Sequence, residues 1–205
     1  MGKIGIMGGT FDPIHNGHIM LGEQAYKEYQ LDEVWFMPSG HPPHKKNHHV
    51  TAPQLRLAMT GKALQGRQGL FCSDFEVKRE GNTYTAQTLR RLHRAYPEHE
   101  YYFIVGADSL YEIENWYEPE QVLSLAVILA ASRKYEDEDR SMGQQIDYLT
   151  CKYHADIRKL HCKEMNLSSA ELRDKVFKGE SINPYVPASV VNYIQVHGLY
   201  QEIKT

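Results

Sequence analysis

The chain has 205 residues, 41% of them apolar and 24% charged, with a formal net charge of −3. This is ordinary globular usage, and the length suffices for one domain over 1–205 with a sizeable core. The slightly acidic balance argues against a nucleic-acid binder, whose footprint is usually basic, but leaves room for small anions at a local positive site.

Along the chain, the opening MGKIGIMGGTFDP has neither the apolar region nor the cleavage pattern of a signal peptide. Lys3 to Met7 reads as a short buried strand ending at Gly8-Gly9. A helical pattern runs from about Gly17 to Tyr29, and Glu33 to Pro38 reads as a second strand. A Pro- and His-rich loop, SGHPPHKKNHHV, follows. Thr51 to Leu64 has helical spacing, with Leu55, Ala58, Met59 and Ala63 on one side. Leu70 to Ser73 and Phe75 to Arg79 are short strand candidates, and Thr83 to Ala95 is a helix. Glu100 to Val105 is a strand ending at Gly106. Leu125 to Ala131 is a continuous apolar run, as in a strand buried on both faces. The acidic KYEDEDR stretch is expected to be exposed. A helix over Ser141 to Tyr153, a strand over Asp156 to Cys162 and two helices near Ser169–Lys178 and Pro187–His197 complete the chain. Cys72, Cys151 and Cys162 form no CxxC pair, so neither a zinc site nor a disulfide framework is indicated. Free thiols and the lack of any ~20-residue apolar run predict a soluble cytoplasmic protein without a membrane partner.

Strands alternating with helices predict an α/β fold with a doubly wound parallel sheet and a small C-terminal helical region. In such sheets ligands bind beyond the carboxyl ends of the strands. The first strand is followed there by GGTFDPIHNGH. Gly8 and Gly9 let the backbone turn sharply and approach a ligand. Thr10 and Phe11 offer backbone N–H groups, and His15 and His18 stand at the start of a helix. A helix N-terminus is already an anion site, because its first N–H groups are unpaired and the dipole is positive there. Two imidazoles add donors for phosphate oxygens. The segment is neither a Walker A loop nor GxGxxG.

GGTFDPIHNGH resembles the GGTFDPxHxGH signature of the nicotinate-mononucleotide adenylyltransferases, within the HxGH nucleotidyltransferase superfamily. Four further segments match in order. Pro42-Pro43-His44-Lys45 resembles the PPHK loop, and Tyr84 to Leu89 the YTxxTL segment. Gly106-Ala107-Asp108-Ser109-Leu110 resembles GxDSL, with Trp116-Tyr117 after it. Leu167 to Arg173 resembles ISSTxIR. Ala170 departs from that pattern, standing where the family has Thr; Ser168 and Ser169 remain as helix caps.

The resemblance implies a Rossmann-like nucleotidyltransferase of NAD biosynthesis. The nicotinate mononucleotide phosphate attacks the α-phosphorus of ATP and releases pyrophosphate. His18, His15 and Arg173 are implied as catalytic. His18 donates to the α-phosphate, His15 holds the triphosphate, and Arg173 pairs with the departing pyrophosphate. Gly8, Gly9, Thr10, Phe11, Gly106, Asp108, Ser168 and Ser169 complete the ATP site. Asp108 is assigned to ribose hydroxyls, its plain alternative being a helix N-cap. Lys45, Tyr84, Thr85, Trp116 and Tyr117 are assigned to the acceptor. The implied cofactor is Mg²⁺ held mainly by ATP phosphates. A transition-metal site at His41, His44, His48 and His49 fits no zinc spacing, so no protein metal ligand is assigned. A homo-oligomer is left open. So are other acceptors (nicotinamide mononucleotide or phosphopantetheine) and a nucleotide sensor without turnover. A class I aminoacyl-tRNA synthetase is set aside, because the chain is short and lacks a KMSKS-like loop.

Overall fold

The computed structural model describes residues 1–42, 50–131, 141–162 and 167–201. Six parallel strands form one sheet: β1 (Lys3–Gly9), β2 (Glu33–Pro38), β3 (Leu70–Cys72), β4 (Glu100–Gly106), β5 (Val127–Ala131) and β6 (Ile157–Leu160). Their order is β3-β2-β1-β4-β5-β6. The order reverses between β1 and β4, which are neighbours with Ile6 opposite Phe103. That reversal opens a crevice at the carboxyl ends of these two strands.

Strand residues alternate between two cores, one on each side of the sheet. Tyr102 and Ile104 of β4 join one cluster, and Tyr101, Phe103 and Val105 join the other. The first cluster is covered by α1 (Asn16–Glu28), α2 (Pro53–Leu64), α7 (Ser169–Phe177) and α8 (Ala188–Val196), through residues such as Ile19, Met59, Leu172 and Val190. The second is covered by α3 (Thr85–Ala95), α4 (Ala107–Glu112), α5 (Pro119–Leu125) and α6 (Met142–Tyr153), through Leu89, Leu110, Val122 and Leu149. Fully burying such side chains contributes about 1.5–3 kcal/mol each. Among the described residues, no helix is long and apolar enough to cross a membrane.

The sequence reading needs four corrections. Phe75 to Arg79 is a turn, not a strand. The Lys78 and Arg79 N–H groups bond locally to the Asp74 and Glu76 carbonyls, at 3.1 Å each. The Glu76 carboxylate is spent on α3, accepting from Thr88 Oγ1 at 2.6 Å. Leu125 ends α5 rather than beginning β5, and its carbonyl accepts from the His93 imidazole at 2.8 Å. The buried face of α2 is Arg56, Met59, Thr60, Ala63 and Leu64, with Leu55 and Ala58 only half-buried. Gly8 and Gly9 do not turn: they continue β1, opposite Met37 and Pro38. The acidic KYEDEDR stretch lies outside the described residues.

Candidate active site

The turn expected at the glycines falls at Phe11, which takes the left-handed φ of 50° with its ring 2% exposed. Packing of that ring fixes the loop. A Cβ on Gly9 would lie 2.9 Å from the Phe11 ring, so only glycine fits there. Gly8 is exposed, and a Cβ there would make only ordinary contact with Phe103 at 3.5 Å. Its glycine is not needed for packing; it leaves the end of β1 open.

His15 is the N-cap of α1, and His18 is the third residue of the helix. The His15 N–H donates to His18 Nδ1 at 3.3 Å. A histidine side chain thereby occupies the place that Glu or Gln fills in a capping box. An accepting Nδ1 carries no proton, so the neutral ring holds its proton on Nε2, the nitrogen on its other side. The two imidazoles stack with centroids 3.6 Å apart, and the Phe11 ring meets His18 edge-on at 5.0 Å. His15 is 5% exposed; His18 is half-buried. The first turn of α1 contains no acidic residue, so nothing on it opposes an anion.

Arg173 reaches this loop from α7. Its Nη1 donates to the Asp12 carbonyl at 2.7 Å. Ser168 is the N-cap of α7, which places Arg173 in the second turn. Ser168 Oγ accepts from the Glu171 N–H at 3.2 Å, and the Ser168 N–H donates to Glu171 Oε2 at 3.0 Å. Ser169 Oγ donates to the Pro13 carbonyl at 2.9 Å, stitching α7 to the loop. The cap is therefore complete without a hydroxyl at the exposed Ala170.

Four of the residues assigned to the acceptor, Tyr84, Thr85, Trp116 and Tyr117, lie at and near the start of α3 and after α4. Tyr84 is the N-cap of α3, so Thr85, Ala86 and Gln87 carry its first N–H groups, and its first turn has no acidic residue. The Tyr84 and Tyr117 rings lie 4.6 Å apart. Trp116 is half-buried and meets the Phe103 ring edge at 6.1 Å. Phe103 is also the ring that a Cβ on Gly8 would meet, so it lies beside both the end of β1 and Trp116. Gly106 caps α4, and the exposed Asp108 is its second residue, so Asp108 is not the N-cap. Lys45 lies outside the described residues, as do Pro43, His44, His48 and His49. His41 is described; its carbonyl accepts from the Thr83 N–H at 3.1 Å, just ahead of α3.

Sequence reasoning missed Arg56. It is fully buried, and among the described residues its guanidinium donates to the carbonyls of Thr51 at 2.8 Å, Thr10 at 2.7 Å, Ser39 at 2.6 Å and Gly40 at 3.1 Å. Burial lowers its pKa, while Asp12 nearby opposes that fall. One cation thus ties the loop after β1 to the loop after β2. The available signal was a charged residue inside the 56–59–60–63 helical face.

The cytidylyltransferase-like family profile matches residues 6–175. A probable nicotinate-nucleotide adenylyltransferase of Lachnoclostridium phytofermentans is 44% identical over 200 residues, spanning 98% of this chain and 100% of the relative. One from Desulfitobacterium hafniense is 41% identical, spanning 97% of this chain and 96% of the relative. Among solved structures, a Plasmodium falciparum nicotinic acid mononucleotide adenylyltransferase complexed with NaAD superposes with a TM-score of 0.80 at 21% identity, over 98% of both chains. That last likeness is one of fold.

Proposed function

The chain belongs to the nicotinate-nucleotide adenylyltransferase family of cytidylyltransferase-like enzymes, and from that premise we propose how its residues join the adenylyl group of ATP to nicotinate mononucleotide. The products are nicotinate adenine dinucleotide and pyrophosphate, a step of NAD biosynthesis. The attacking phosphate is already an anion near neutral pH. No base is needed to create it, and catalysis rests on positioning and on stabilising charge at the α-phosphate.

The observation that carries this reading is the shared Phe103 contact. It puts the open end of β1 next to Trp116, whose neighbour Tyr117 meets the Tyr84 ring. Triphosphate lies along Gly8 to Phe11 and the N-terminus of α1. His18 donates its Nε2 proton to the α-phosphate, in the tautomer that the His15 N–H selects. His15 supports the triphosphate from beneath the His18 ring. Arg173 pairs with the departing pyrophosphate, whose oxygens its planar fork suits. Asp108 and Gly106 face the ribose. The first N–H groups of α3 receive the acceptor's carboxylate, and Trp116 and Tyr117 flank its ring. Lys45 is assigned to the acceptor on the resemblance alone.

A divalent metal accompanies ATP in nucleotidyltransferases of this kind, and we take it to be Mg²⁺. The donors around the site are N–H groups, imidazoles and a guanidinium, which suit phosphate oxygens rather than a cation. Among the described residues, no group of three or more His, Cys, Asp or Glu could hold a metal. Mg²⁺ would ride on the phosphates and keep its waters, neutralising part of their charge.

The test is incubation with ATP, Mg²⁺ and nicotinate mononucleotide, with products separated by chromatography. The reading requires dinucleotide and pyrophosphate in equal amounts. Tight ATP binding with no dinucleotide would overturn it in favour of a sensor.

A further inference from the structure

Asp12 is 2% exposed, and its carboxylate is held by Tyr200 and Thr51. Oδ1 accepts from the Tyr200 hydroxyl at 2.6 Å, and Oδ2 accepts from the Thr51 N–H at 3.1 Å. The main-chain carbonyl of the same residue holds Arg173 at 2.7 Å. Arg173 therefore stands within side-chain reach of a carboxylate that points elsewhere. Tyr200 arrives there by a specific chain reversal. Gly198 turns at a φ of 57° after α8, the Leu199 N–H bonds the Ile194 carbonyl at 3.0 Å, and Tyr200 itself has a φ of 63°. A left-handed non-glycine residue costs about 1–2 kcal/mol, so its surroundings hold it there. Burial, and then the Asp12 charge, push the phenol's pKa far up, so it stays a donor at any working pH.

We infer that Tyr200 is a positioning residue for adenylyl transfer: its hydroxyl holds the Asp12 carboxylate inward and so keeps Arg173 available to the pyrophosphate. Without that hydroxyl, Asp12 loses one of its two donors among the described residues. Arg56, the other cation near Asp12, is held by four loop carbonyls, whereas Arg173 already bonds the Asp12 main chain; an Asp12–Arg173 ion pair would occupy the group meant for the leaving anion. The inference rests on Arg173 acting as the pyrophosphate partner.

Tyr200→Phe is the variant to make. Tyr200 and Arg173 line one open, largely apolar groove of about 850 Å³, with Leu55, Phe177 and Leu199, so phenylalanine keeps its shape. Steady-state kinetics are measured well below the variant's Tm. Hydrogen bonds to charged groups are strong enough that losing one corresponds to about a tenfold change or more. We expect kcat/KM for ATP to fall at least about tenfold, with KM for the acceptor mononucleotide unchanged. Purely structural damage would not separate the two substrates. In an Arg173→Ala background the further loss from Tyr200→Phe should shrink below about threefold, because the partner it protects is gone. Unchanged kcat/KM for ATP in Tyr200→Phe, or full additivity with Arg173→Ala, would overturn the inference. Failure of Arg173→Ala alone to lower activity would instead strike the reading of Arg173, and this inference with it. Should Tyr200→Phe not fold, Asp12→Asn with and without Tyr200→Phe carries the test. Removing the charge relieves the buried carboxylate, and the two proteins should then differ less than about threefold in kcat/KM for ATP; a tenfold gap would contradict the mechanism.

Discussion

His18 has two nitrogens with two tasks. Nδ1 accepts the His15 N–H at 3.3 Å, which leaves the proton on Nε2, the nitrogen proposed to meet the α-phosphate. Losing one such preorganised donor typically costs about 10²–10³ in kcat. His18→Ala should therefore lower kcat by about that factor, and stopped-time assays at saturating ATP check it. A fall below threefold would remove His18 from the mechanism. This pair was legible in the sequence because an anion site at a helix start needs its glycines and imidazoles within a dozen residues. The pairing of Asp12 with Tyr200 was not legible. Their hydrogen bond spans 188 positions, and no periodicity reports a contact of that range.

Among the elements, α2 carries the least expected feature. Its face of Arg56, Met59, Thr60 and Ala63 follows helical spacing, but a reading by hydrophobicity excludes an arginine and so selects Leu55 and Ala58 instead. Arg56 is buried because four loop carbonyls surround it. Buried acceptors left without a donor cost about 1–3 kcal/mol each. Arg56→Met, which fills similar space, should lose about 4 kcal/mol or more. For a domain of this size that corresponds to a Tm lowered by about 10 °C or more, at ~2–4 °C per kcal/mol. Calorimetry showing a shift under 2 °C would contradict the role given to Arg56. The long, periodic elements were legible: Glu33–Pro38 has the bounds expected of it. α4 and α5, of 6 and 7 residues, were not, since a helix of two turns or fewer leaves little periodic signal. The false strand at Phe75–Arg79 had the composition of one, but its Glu76 and Arg79 are committed to Thr88 and Gln87 on α3.

In the whole molecule, the doubly wound sheet assembles two helix N-termini around one crevice. α1 brings His15 and His18 to it; α3 is capped by Tyr84, whose ring meets Tyr117 at 4.6 Å. Strand order makes this possible, and order is a property of the fold that local patterns reach only through the alternation of strands and helices. The two ends are proposed to differ in chemistry: α1 to handle phosphate, α3 to read the acceptor's carboxylate. A carboxylate accepts from two N–H groups, whereas an amide turns its NH₂ toward one of them. Hydrogen bonds to a charged group contribute ~1.5–3 kcal/mol each, about 10- to 150-fold in kcat/KM. Thr85 is the first residue of α3, a position where proline is well tolerated and only an N–H is lost. The most direct measurement is therefore kcat/KM for nicotinate mononucleotide against its amide, in the unmutated enzyme and in Thr85→Pro. The account predicts a preference for the acid of at least tenfold that falls toward unity in Thr85→Pro; equal values for the two acceptors in the unmutated enzyme, or a preference untouched by the proline, would contradict it.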